Sequence, residues 1–140
     1  MLYPKEKLEK LINRWKTPKG KQMVKTIKKS HCYLSPVLFR QKVKNFPGIN
    51  DQELEDGVDL RGINLAGFDF RVKVKDDDNF IELITILSDI HFEGATLKHC
   101  NFDDGKIHNC YFENANVEHS AFKGAKLNDC HLEEANLSGI

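Results

Sequence analysis

The sequence predicts an all-β solenoid that turns a corner every five residues, joined to a short basic α-helical region at its N-terminus. Three observations carry this expectation. From His91 onward one position in every five is apolar, a second position two residues earlier is almost always small, and residues 1–57 show helical spacing instead. A period of five matches neither the 3.6 of a helix nor the 2 of a plain strand.

The N-terminal region comes first. Leu8, Leu11, Ile12 and Trp15 recur at i, i+3, i+4 and i+7, which marks one face of a helix from about Pro4 to Lys16. Thr17-Pro18 and Ser35-Pro36 each read as an N-cap followed by proline at the first helical position. They start a second helix presenting Met23, Val24 and Ile27, and a third presenting Val37, Leu38 and Val43, which Phe46-Pro47-Gly48 ends. A short helical stretch then leads to Val58. The expected role of residues 1–57 is to cap the open end of the solenoid, where backbone and core side chains would otherwise be bare. Lys16, Lys19, Lys21, Lys25, Lys28 and Lys29 also offer charge for nucleic acid or an anionic membrane. No interleaved aromatics or base-reading motif accompany them, so nucleic acid is not the expected partner.

The repeat occupies residues 58–140. Leu60, Leu65 and Phe70 open it, and Phe92, Leu97, Phe102, Ile107, Phe112, Val117, Phe122, Leu127, Leu132 and Leu137 continue it. With 40% hydrophobic residues, ten consecutive hits from Phe92 would arise by chance roughly once in ten thousand. Two residues before them stand Ile90, Ala95, Cys100, Gly105, Cys110, Ala115, Ser120, Ala125, Cys130 and Ala135, nine of which are small. A large residue fills the interior and a small one allows close approach at each corner. The period alone shows a five-residue solenoid; four corners would close a coil of about 20 residues, with coils stacked at roughly the 4.8 Å strand spacing.

Val58-Asp59-Leu60-Arg61-Gly62, Ile63-Asn64-Leu65-Ala66-Gly67, Ala115-Asn116-Val117 and Ala135-Asn136-Leu137-Ser138-Gly139 resemble the pentapeptide-repeat family, whose pattern runs small, Asp/Asn, Leu/Phe, polar, Gly/polar. The resemblance covers 58–70 and 86–140, and it implies a right-handed quadrilateral β-helix. Between these stretches, Phe70 to Phe92 is 22 residues, two more than a coil, with Phe80 in the old phase and Leu87 in the new. Residues 71–85 are therefore expected as a loop or irregular coil, turning at Asp76-Asp77-Asp78-Asn79. That acidic run lacks the spacing and glycine of a calcium loop.

Charge separates the two regions. Residues 1–57 carry 13 Lys/Arg against 6 Asp/Glu, and residues 58–140 carry 8 against 15, so a net charge of zero hides balances of +7 and −7. No apolar run approaches the ~20 residues of a membrane span, and the N-terminus is not a secretory signal. A cytoplasmic location is expected. Cys100, Cys110 and Cys130 occupy small inward positions, as reduced thiols suited to a reducing compartment. Cys32 beside His31 has no argued role.

Residues 20 apart should stack in columns. His91, Tyr111 and His131 form one, Glu93, Glu113 and Glu133 the next, with Glu134 at the edge. Like charges at strand spacing repel, so this face is the candidate interaction surface, read against solvated glutamates that simply tolerate one another. Lys98 over Glu118 and Asp103 over Lys123 pair opposite charges instead. A metal on the glutamate face is a weak prospect, and stacked His99 and His119 lack the donors of a zinc site; no metal or cofactor is expected.

No nucleophile elbow, P-loop or dinucleotide fingerprint is present, so no catalytic residue is assigned and no enzyme is expected. The leading function is a rigid protein-interaction module with a protein partner and with self-association through the open C-terminal coil. The resemblance implies two alternatives: a DNA mimic that occupies a type II topoisomerase such as gyrase, and a secreted bacterial effector or scaffold.

Overall fold

The computed structural model describes residues 3–30, Phe46 and residues 57–140. The expected third helix, with Ser35-Pro36, and the stretch leading to Val58 lie outside these residues. Helix α1 spans Lys5–Asn13 and runs into a 3-10 turn at Arg14–Lys16. Thr17 then caps α2 (Pro18–Ser30): its Oγ1 accepts the Gly20 amide at 3.0 Å, and its carbonyl accepts that of Lys21 at 2.9 Å. Proline at the first helical position needs no amide partner, so the cap costs nothing there. Leu11, Trp15 and Ile27 are buried, with Met23 and Val24 packed against the core, as their spacing predicts. Among the described residues no helix is long and apolar enough to cross a membrane.

Among the described residues six strands follow: β1 Val58–Asp59, β2 Arg71–Lys75, β3 Ile81–Ser88, β4 Ile90–His91, β5 Lys106–His108 and β6 Lys126–Asn128. The strands are short because the pairing is spread over the coil. Ile86 pairs in parallel with Lys106 and Lys106 with Lys126; His91 with Tyr111 and Tyr111 with His131; Thr96 with Asn116 and Asn116 with Asn136; Asn101 with Ala121. These four ladders are spaced five residues apart along the chain and each advances by twenty. The repeat thus winds with four ladder positions to a coil.

Each corner is made locally. The amide of Ala115 donates to the Phe112 carbonyl at 2.9 Å and that of Ala95 to Phe92 at 2.9 Å, closing β-turns from one core residue to the next small one. The third residue of each turn has positive φ, and this recurs every fifth position from Asp89 to Gly139. Asn, Asp and Gly tolerate that conformation best, which explains the glycine or short polar residue of the repeat. Its Asn or Asp works three residues earlier: the carboxamide oxygens of Asn64, Asn101, Asn116 and Asn136 each accept the amide two positions on, at 2.9–3.1 Å.

Inside the coil the apolar ladder is stacked. Leu60, Leu65, Phe70, Phe92, Leu97, Phe102, Ile107, Phe112 and Val117 are buried, and Phe102 lies between Phe70 and Phe122 with centroids 4.6 Å away on either side. Burial of each such side chain contributes about 1.5–3 kcal/mol. Phe122 and Leu132 are half-buried, whereas Leu127 and Leu137 are 36% and 43% exposed, because no further coil among the described residues covers them.

Two expectations about residues 71–85 need correction. The segment is not a loop: β2 and β3 form an antiparallel hairpin registering Arg71 with Thr85 and Lys75 with Ile81. Alternation in Arg-Val-Lys-Val-Lys and Ile-Glu-Leu-Ile-Thr-Ile is the strand signal that a search for period five passes over. Asp76 makes the turn, its Oδ1 accepting the amides of Asp78 and Phe80 at 2.9 Å. Nor is the slip two residues. Asp59 pairs with His91, Asn64 with Thr96 and Asp69 with Asn101, each 32 residues on, so twelve residues are inserted into the first coil and Phe70 stacks on Phe102. Phe80, thought to hold the old phase, is 69% exposed at the hairpin tip.

The helices pack on this first coil. A Cβ on Gly62 would run into the backbone of Leu11 and Ile12, so only glycine admits α1 here. The Arg14 guanidinium donates to both Asp59 oxygens at 2.7 and 3.1 Å, Arg61 does so at 3.0 and 3.1 Å, and Trp15 Nε1 donates to the Arg61 carbonyl at 2.7 Å. Burial acts to raise the Asp59 carboxyl, but hydrogen bonds from Arg14 and Arg61 outweigh it and hold the group below its usual range.

Candidate interaction face

The ladder through β4 positions the two columns singled out in the sequence. His91, Tyr111 and His131 stack as near-parallel rings, with centroids 4.4 Å and then 4.7 Å apart. Two residues along each rung stand Glu93, Glu113 and Glu133, carried by ladder bonds from Gly94 to Glu113 and from Asn114 to Glu133.

This face is only partly solvent-facing. Glu93, Glu113 and His91 are 3%, 6% and 9% exposed, whereas His131, Glu133 and Glu134 are exposed and Tyr111 is half-buried. The reading of solvated glutamates therefore fails for two of the three. Tyr3, at the entry to α1, covers the first rung and donates its hydroxyl to Glu93 Oε2 at 2.9 Å; His91 Nδ1 lies 3.3 Å from the same oxygen. Burial, then the Glu93 charge, pushes the Tyr3 hydroxyl up to about 12. Glu93 Oε1 is buried with no hydrogen-bond partner among the described residues.

Glu113 bears the consequence. Burial, then the charges of Glu93 and Glu133, lift its carboxyl from 4.5 to about 7. Tyr111 is raised for related reasons, burial first and then Glu113 and Glu93. The distal edge opens into a concavity of about 410 Å3 lined by Tyr3, Tyr111, Glu113, His131 and Glu133. His131 Nδ1 lies 3.8 Å from Glu133 Oε1 and 4.0 Å from Glu113 Oε1. Within 4.8 Å of one another, these donors are the one group among the described residues placed to converge on a cation. Chemically the edge offers a hydrogen-bonding, acidic surface with an aromatic wall.

Glu134 stands at a corner with φ near 60°, beside rather than within this concavity. His99 and His119 stack at 5.4 Å on exposed corners. In the Asp103 column, the Lys123 amide donates to Asp103 Oδ1 at 2.8 Å, a contact of side chain with backbone. Cys100, Cys110 and Cys130 are free, with burial pushing the first two thiols up to about 11 and about 12. Cys32 lies outside the described residues.

Two features went unread in the sequence. Tyr3 belongs to no periodic set and gave no signal. The pair Asp59-Leu60-Arg61 and Asp69-Phe70-Arg71 did give one: both Asp accept the amide and guanidinium of the arginine two residues on, at 3.0–3.1 Å and 2.8–3.3 Å.

A family model described as pentapeptide repeats matches residues 85–114 and 106–140, in eight copies. Among solved structures, a pentapeptide repeat protein, Rfr23, from the cyanobacterium Cyanothece 51142 is 24% identical, with a TM-score of 0.30. The similarity covers 59% of this chain and 55% of that one, so the chain spans little more than half the length of that structure. No curated protein matches the chain.

Proposed function

Since the chain belongs to the pentapeptide-repeat family over residues 85–140, we propose that it is a non-enzymatic protein-interaction module whose repeat is a right-handed, four-sided β-helix capped by the helices of residues 1–57. Proteins of this family are generally interaction or structural modules. The observation carrying the reading is the twenty-residue register of four parallel ladders, which fixes side chains in columns before any partner arrives. Prepaid ordering of this kind leaves more of the contact energy for affinity.

Within the face, recognition is assigned to the open edge of Tyr111, His131 and Glu133, where the concavity reaches solvent. Glu93 and Glu113 serve it from beneath, as buried charge. The free, high-pKa thiols support work in a reducing compartment such as the cytoplasm. A second copy of the chain is a further proposed partner, through the apolar surface of Leu127, Leu132, Leu137 and Ile140 at the last coil.

The test is affinity capture from the native lysate with wild type and a His131→Ala, Glu133→Lys variant, both being exposed positions that leave the core intact. A partner held by wild type and lost by the variant supports the face. Equal capture by both removes it.

A further inference from the structure

A second concavity lies between the helices and the wall of the first two coils. It measures about 540 Å3, and Lys16, Lys21, Lys25 and Lys28 line it. The last three sit at i, i+4 and i+7 on α2, a row spanning roughly 10 Å on one helix face. Helix α2, with the sequence PKGKQMVKTIKKS, contains five lysines and no acid. Among the described residues lining the cleft there is no carboxylate either. Like charges at this spacing repel one another, and an anion settling among them removes the repulsion.

The surroundings narrow the anion. Ile27 is buried in the core and Met23 and Val24 pack partly against it, so no continuous apolar stripe of α2 remains to enter a lipid surface. For nucleic acid, the cleft supplies no exposed aromatic ring: Trp15 is buried and gives its indole N–H to Arg61. A compact phosphate would want backbone amides or an arginine fork, but the Gly62 and Thr96 amides that border the cleft already donate to Glu93 and Ile63. What is left is a row of flexible ammonium groups over a floor containing Ile12 and Val24. Alternate side chains of an extended peptide are ~6.8 Å apart, close to the ~6 Å rise from Lys21 to Lys25.

We infer that this cleft binds an extended acidic peptide segment of a partner protein, with Lys21, Lys25 and Lys28 pairing its carboxylates. The inference rests on the interaction-module reading and adds to it a second surface and a partner chemistry.

Trp15, the one tryptophan in the chain, lines the cleft and supplies the readout. The full-length protein is titrated at low salt with a blocked peptide of alternating Glu and Leu, its Gln and Leu counterpart, tripolyphosphate and a single-stranded oligonucleotide, by Trp fluorescence and calorimetry. The Glu peptide is expected to bind saturably and more tightly than the other three. Lys21→Gln, Lys25→Gln, Lys28→Gln together should weaken it about tenfold, through loss of three solvent-exposed ion pairs. Lys5→Gln with Lys10→Gln on α1 should change it less than twofold. The inference is overturned if the Gln peptide binds equally, if tripolyphosphate or the oligonucleotide binds more tightly, if the triple variant binds undiminished, or if neither signal responds. None of these outcomes touches capture through Glu133, so failure of the cleft and failure of the module reading are told apart.

Discussion

Glu113→Gln should make the protein more stable at alkaline pH, although it removes a charged residue from a buried column. Facing Glu113 are Glu93 on one side, Glu133 and His131 on the other, and His91 and Tyr111 along the ring stack. Burial and the two like charges raise the folded carboxyl from 4.5 to about 7. Between those values the folded state holds more protons than the unfolded one, so stability falls as pH rises. The cost is absent below the unfolded value, grows through the window and is complete above about pH 7. One pKa unit corresponds to about 1.4 kcal/mol, which gives about 3 kcal/mol in full. Solvent at the exposed Glu133 and His131 screens part of it, leaving about 2 kcal/mol. Gln keeps the shape and cannot ionise. Urea titrations at pH 5, 6, 7 and 8.5 should show near-equal stability at pH 5 and a gap in favour of the variant that opens to about 2 kcal/mol at pH 8.5. A variant less stable than wild type at pH 8.5, or a gap independent of pH, would refute the account of this column.

Other consequences follow from the same contacts. Asp59→Ala leaves Arg14 and Arg61 buried without their carboxylate and should cost about 3–5 kcal/mol by urea denaturation. Because the Asp59 carboxyl sits below its ordinary 3.8 in the folded protein, wild-type stability from this group is present above that value and lost as pH falls beneath it, a loss the variant should not show. Phe102→Ala, between two stacked rings, should cost about 3–5 kcal/mol, whereas Leu137→Ala at the exposed end should cost well under half of that; equal costs would contradict the assigned ends of the core. Removing residues 73–84 with Val72→Gly, which supplies the positive φ that Asp104 has in the next coil, restores twenty-residue spacing. This shortened chain should melt cooperatively within a few degrees of wild type by circular dichroism. Loss of the transition would mean that the hairpin is needed to close the first coil.

How much was visible in the sequence depended on whether the cause was local. The period of five was legible because each corner is built by its own five residues: a side chain such as Phe112 inside, a turn to Ala115, and Asn114 at positive φ. Thr17-Pro18 was legible for the same reason, since a cap acts within one turn. The hairpin escaped because two periods compete in one chain, and its tip, with Phe80 and Ile81 exposed, mimics a core rung in composition alone. Column membership was read correctly while burial was not. Register depends on repeat length, but the burial of Glu93 depends on Tyr3, ninety residues away, and no spacing rule predicts such a contact.

The opposed charges of the two regions are partly consumed where those regions meet. Arg14 is spent on Asp59, and Tyr3, in the positive half, shields Glu93 in the negative one. What survives at the surface is divided by geometry. The lysine cleft borders the ladder of Asn64 and Thr96 in the first two coils. The acidic edge belongs to the adjoining ladder of His91, Tyr111 and His131, and opens in the last two. A coil rises about 4.8 Å, so the two surfaces differ by about 10 Å in height as well as by a corner. Sites that far apart without a shared partner should behave additively. Combining Lys21→Gln, Lys25→Gln, Lys28→Gln with Glu133→Lys should therefore leave acidic-peptide affinity where the lysine changes alone put it, within about twofold. A larger change would mean that the acidic edge acts as a competing occupant of the cleft on a neighbouring chain, and concentration-dependent mass in wild type, lost in the combined variant, would then have to accompany it.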